Sequence, residues 1–76
     1  MNYYPEITAD PTVMTGMPCI KGTRITVANV LRQIAAGRTP DEICLDYPDL
    51  TIESIRAALA FAAAVASSET YELLAS

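Results

Sequence analysis

Apolar side chains change their spacing at Thr26. Ahead of it they come in short groups, Ile7-Thr8, Thr12-Val13-Met14 and Cys19-Ile20, separated by Asp10-Pro11, Gly16 and Pro18. That punctuation belongs to short strands and turns. Residues 1–6 read as a loose arm. Thr12-Val13-Met14 is expected to pair with Pro18-Cys19-Ile20 across Thr15-Gly16-Met17, in an antiparallel element of two or three strands. Pro18 cannot donate to a ladder, so it suits an edge strand or a strand start. Gly22 stands between two apolar runs and reads as a tight turn, because glycine takes positive φ without penalty.

After Thr26 the period becomes helical. Thr26 is placed as an N-cap, and Val27, Val30, Leu31, Ile34 and Ala35 follow the i, i+3, i+4, i+7, i+8 rule for one helix face. Gly37 falls where a left-handed C-cap is wanted. Thr39-Pro40-Asp41-Glu42 then gives an N-cap, a proline at the first helical position and the acid of a capping box. This second helix ends near Asp46, because Pro48 drives Tyr47 out of the α region. Thr51 caps a third helix that carries Ile52, Ile55, Leu59, Ala62 and Ala66 on one stripe, with Ala58, Phe61 and Val65 beside it. Few residues between Ala57 and Ala66 are polar on any face, as in a helix that is buried or shared with a partner. Ser67-Ser68-Glu69-Thr70 either ends it or caps a last short helix through Tyr71-Glu72-Leu73-Leu74, and the pattern leaves both open.

Composition narrows the picture. The chain has 76 residues, 51% of them hydrophobic, and a formal charge of −4. One domain is the expectation, near the lower size at which a chain buries enough surface alone. Alanine supplies much of the apolar share and buries little area, so a homodimer or a partner covering spare apolar surface fits this chain. Net acidity argues against a protein whose main task is coating nucleic acid. With no histidine, two cysteines (Cys19, Cys44) and no Cys-x-x-Cys pair, there is no zinc-type ligand set. Both cysteines read as reduced thiols packed as small apolar groups. The N-terminus lacks a basic region followed by an apolar one, and Arg56 interrupts Ile55–Ser67. A cytoplasmic protein without a membrane span is therefore expected.

The segment Gly16-Met17-Pro18-Cys19-Ile20-Lys21-Gly22-Thr23-Arg24-Ile25-Thr26-Val27 resembles the G-x-P-x-I-x-G-T-R-I-x-V signature of the bacterial family catalogued as domain of unknown function 433. The resemblance continues through Ile34–Gly37, Asp41–Ile43, Asp46–Thr51 and Ile55–Leu59, covering roughly residues 7 to 62. It implies a mainly α, trihelical, helix-turn-helix-like (homeodomain-like) domain. It also implies an antitoxin-like role beside a toxin with a PIN-like ribonuclease fold.

Candidate sites follow from the residues. A helix-turn-helix bound to DNA would set the start of helix three in the major groove, where Glu53, Ser54 and Arg56 are expected to be exposed. Only Arg56 suits guanine or phosphate there, and Glu53 repels the backbone. Lys21 and Arg24 are better nucleic-acid candidates, with Arg32 or Arg38 as helpers. Arg24 equally suits a structural pairing with Asp10, Asp46 or Asp49. Asp41, Glu42, Asp46, Asp49 and Glu53 make an acidic cluster. Helix-terminal duties account for three of them without a metal, and the cluster also suits covering a ribonuclease's basic groove. No general base, nucleophile elbow or phosphate-cradling loop is legible, so no catalysis, cofactor or small-molecule substrate is expected. Tyr71, Leu73 and Leu74 form a short amphipathic segment that either anchors in a partner's groove or folds back on this domain or its dimer mate.

A single domain over 1–76 in three parts is thus expected: a β arm and hairpin over 1–25 with structural turns at Gly16, Pro18 and Gly22, a trihelical core over 26–66, and a tail over 67–76. The leading functional expectation is an antitoxin-like regulator that neutralises a PIN-like ribonuclease and also represses its own operon. A DNA-binding regulator with no toxin partner and a structural dimerisation module are the alternatives.

Overall fold

The computed structural model describes residues 4–68, and the change of period at Thr26 is where a small ribbon gives way to helices. Strands β1 (Ile7–Thr8) and β2 (Cys19–Ile20) precede helices α1 (Val27–Ala35), α2 (Pro40–Asp46) and α3 (Ile52–Ser68).

The ribbon pairs differently from the sequence expectation. β2 lies antiparallel to β1, with Ile7 opposite Ile20 and Thr8 opposite Cys19, and Thr12–Met14 takes no part. The intervening loop is coiled by its own polar groups. Asp10 Oδ1 accepts from the Thr12 backbone N–H at 2.9 Å and from its hydroxyl at 2.7 Å. Val13 N–H donates to the Asp10 carbonyl at 2.8 Å. Met14, Thr15 and Gly16 then all take positive φ (49°, 53° and 82°), which no strand can hold. Gly16 stands at the end of this coil, in the left-handed region. Residues 4–6 are not a loose arm either: Ile7 N–H donates to the Tyr4 carbonyl at 3.0 Å, and the Tyr4 ring meets Phe61 edge-on at 5.7 Å.

On its other side β2 turns back through Gly22. Ile20 N–H donates to the Ile25 carbonyl at 2.9 Å, and Thr26 bridges Cys19. Pro18 stands just before β2, and its carbonyl accepts the Val27 N–H at 2.9 Å, tying the strand start to the first residue of α1.

Local chemistry sets the helix ends as the sequence indicates. Thr26 Oγ1 accepts from the Asn29 N–H at 3.0 Å. Past α1, Gly37 (φ 94°) donates to the Ile34 carbonyl and Arg38 to that of Gln33, the paired bonds of a Schellman ending. Thr39 and Glu42 form the complete capping box with Pro40 at the first position of α2. Thr51 Oγ1 accepts from the Ser54 N–H at 3.1 Å, and the Ser54 hydroxyl lies 3.1 Å from it in return. Ser54 is therefore a buried capping partner, 6% exposed, rather than a surface residue of α3. The last serines extend α3 instead of ending it at Ala66. Ser67 and Ser68 hydroxyls donate back to the Ala63 and Val65 carbonyls at 2.8 and 3.0 Å, which removes their competition with the helix.

The core is Ile20, Val27, Val30, Ile43, Leu50, Ile55 and Ala58, so every element except β1 sends a buried residue into it. Ile7, Leu31, Ile34, Tyr47 and Phe61 close over its edge. Each buried Ile or Leu contributes about 1.5–3 kcal/mol by leaving water. On α3 the inward stripe is Ile55 and Ala58 with Phe61 and Ala62 half-buried, while Leu59 (37% exposed) and Ala66 face out. Both cysteines are unpaired thiols, Cys19 buried and Cys44 half-buried. Among the described residues, no helix is long and apolar enough to cross a membrane.

Candidate interaction surfaces

Three surfaces gather the residues of interest. The first is the turn from Lys21 to Ile25. Gly22 adopts φ 79°, and the Thr23 hydroxyl donates to the Ile20 carbonyl at 2.8 Å while accepting the Ile25 N–H at 3.0 Å. With Thr23 so occupied, Lys21 and Arg24 are left exposed on one turn. Arg24 lines an open hollow of about 620 Å³ together with Thr8, Asp10, Gly22 and Asp49. The structure thus brings Gly22 and Arg24 together with two of the three acids considered as ion-pair partners, yet forms no ion pair among them. Asp46 is taken by Arg38 at 2.5 Å, and the bonds from Thr12 hold Asp10's carboxyl below its ordinary range. Among the described residues, Arg38–Asp46 is the ion pair within 4.0 Å. Chemically the lining offers one guanidinium and two carboxylates, suited to polar groups of a partner.

The second surface is α2, the turn after it and the first turns of α3. Asp41, Glu42, Asp46, Asp49 and Glu53 are all exposed there. Glu42 is held below the usual carboxylate range, chiefly because its carboxylate accepts the Thr39 backbone N–H. Arg38, expected as a helper on DNA, is instead committed to structure. It donates to Gln33 Oε1 at 2.9 Å, to Asp46 and to the Glu42 carbonyl at 3.2 Å, and Asp46 raises its pKa further. The chain of contacts runs on from Gln33 to Asn29 and from there to the Tyr47 hydroxyl. Arg56 is exposed on α3, three positions after Glu53, and does not line the Arg24 hollow.

The third surface went unread in the sequence except as the all-round apolar character of helix three. Between α1 and the second half of α3 lies an apolar groove of about 300 Å³, lined by Met17, Pro18, Val27, Ala28 and Leu31 on one side and Phe61, Ala62, Val65 and Ala66 on the other. Pro18 therefore serves both the strand start and this groove. Tyr71, Leu73 and Leu74, the expected partner anchors, lie outside the described residues.

A mainly α domain of three helices with a helix–turn–helix step, fronted by a two-stranded ribbon, is the class that fold and surfaces define. Residues 7–62 match the family described as protein of unknown function (DUF433), and the chain belongs to that family. It is 34% identical over 58 residues to uncharacterized protein y4eO of Sinorhizobium fredii (strain NBRC 101917 / NGR234), covering 76% of this chain and 26% of that one. The crystal structure of a DUF433 member protein from Anabaena variabilis ATCC 29413 superposes with a TM-score of 0.77 at 28% identity, over 83% of this chain and 62% of that one. The chain thus spans about a quarter of the length of the first relative and under two thirds of the second.

Proposed function

We propose that this protein is a non-catalytic, antitoxin-like regulator, cytoplasmic and homodimeric, that binds and neutralises a PIN-like ribonuclease. The observation that carries the reading is the charge of the helix–turn–helix step. Its five carboxylates stand in solvent, where a DNA-reading helix pair would need cations against phosphate. Such a face complements the basic groove in which a ribonuclease holds its substrate. In the sequence Tyr71, Leu73 and Leu74 form a short amphipathic segment of the kind that anchors in a partner's groove, which supports the reading.

Co-expression with the product of the adjacent gene is expected to give a complex that survives gel filtration, with ribonuclease activity suppressed. Asp49→Lys is expected to slow association and weaken its salt dependence, since Asp49 is exposed and lies between α2 and α3, outside both helices. Separate peaks, with toxicity undiminished, overturn the proposal.

A second activity is supported by Lys21 and Arg24, exposed on one turn and outside any ion pair among the described residues. A homodimer would present this turn twice, which suits repression of the protein's own operon by phosphate contacts.

A further inference from the structure

The α1/α3 groove is drawn from the parts of the sequence that carry no charge. The three longest stretches without Asp, Glu, Lys or Arg are 11–20, 25–31 and 57–68. All nine residues that line the groove come from these stretches, two from the first, three from the second and four from the third. Folding thus brings three separate uncharged segments onto one face, and none of the five carboxylates of the helix–turn–helix step lines it. The walls are almost wholly apolar, so water inside the groove lacks hydrogen-bonding partners.

We propose that its occupant is the same face of a second copy of this chain, in a two-fold contact that forms the homodimer named above. The inference rests on that homodimer and gives it an interface. Charge is the first observation. Each chain carries −4, so two copies repel wherever their acidic surfaces meet. A two-fold contact sets one patch against itself, and any net charge on the patch meets its like. A different protein needs no such clearing, because it can offer opposite charge, as the acidic step invites. A face assembled from uncharged segments is therefore what self-association requires of this chain.

Shape is the second observation. Met17 and Val65 line the groove, yet they are 41% and 40% exposed. The same face thus holds large apolar side chains to bury and a hollow of about 300 Å³ to bury them in. A two-fold contact needs both on one patch, since residue i of one copy meets j of the other while j meets i. Met17 and Val65 of each copy enter the groove of its mate. Size is the third. A chain of 76 residues commonly needs a staple beyond its own core, and oligomerisation is one such staple. Both cysteines are free thiols, so a disulfide does not serve here.

The test is sedimentation of the full chain at several concentrations, which is expected to give the mass of a dimer. Val65→Glu sets a carboxylate against an apolar contact and should weaken the dimer by at least about a hundredfold. Its helical circular dichroism should persist, because Val65 lies outside the buried core. Leu45→Glu, at a side chain 81% exposed and outside the groove, should leave the dimer unchanged. A monomer at every concentration overturns the inference and the homodimer together. A dimer indifferent to Val65→Glu overturns the inference alone. A second measurement needs no substitution, so it holds even where Val65→Glu disturbs the fold. In a mixture of isotope-labelled and unlabelled chains, filtered nuclear Overhauser effects should join the methyl groups of Met17, Leu31 and Val65 to the other copy. Effects from the Leu45 methyl groups in their place overturn it.

Discussion

Thr39 and Glu42 hold the start of α2 by two exchanged hydrogen bonds, at 2.7 Å from the Thr39 N–H to Glu42 Oε1 and 3.2 Å back. Because the carboxylate form makes the bond, Glu42 titrates below its ordinary value of 4.5. Its contribution to stability is complete above that value and is lost as pH falls through the depressed one. Stability followed by circular dichroism should therefore start to fall as pH drops below about 4.5 in wild type, and Glu42→Gln should flatten that limb. Thr39→Ala should cost about 1 kcal/mol in denaturant titrations at neutral pH. Gly22 isolates a different effect. A Cβ there meets nothing within 4 Å, so only the φ of 79° opposes a side chain. Gly22→Ala should cost about 1–2 kcal/mol, and Gly22→Asn less, because asparagine tolerates the left-handed region.

Among the elements, α2 is short yet places Ile43 at the centre of the core with 0% exposure, while its neighbour Leu45 is 81% exposed. Ile43→Ala should cost about 2–5 kcal/mol, enough to unfold much of a domain this small, and Leu45→Ala should stay within about 0.5 kcal/mol. The three helices were legible because their signals are local: Thr26, Thr39 and Thr51 cap, Pro40 starts, Gly37 and Pro48 stop. Strand pairing was not. Nothing in a period-two pattern says that Ile7 rather than Val13 lies opposite β2. The loop between them is shaped by the Asp10 side chain and by left-handed Met14 and Thr15, residue types without a strong bias toward that region. The same limit hid Ser54, whose burial depends on its bond with Thr51, and gave Asp46 to Arg38 rather than Arg24. Of the surfaces, the exposed Lys21–Arg24 turn followed from its glycine, whereas the groove needed α1 and α3 side by side.

Among the described residues the core is a cluster of seven buried side chains, which is small for a domain that stands alone. Partners that bind only the folded state would stabilise it by mass action, so its melting temperature should rise with partner concentration. If the Lys21–Arg24 turn meets operator phosphates, Arg24→Ala should weaken binding uniformly across sequences and lower the salt slope by about 1. A gel-shift titration at several salt concentrations reads this directly. The Pro18 carbonyl on the Val27 N–H adds a consequence for motion. The strand start caps the first backbone donor of α1, so that helix turn has no independent way to fray. Amide protons of Ile20, Lys21 and Val27 should exchange with deuterium together, as a single opening that joins ribbon and helix into one unit of unfolding.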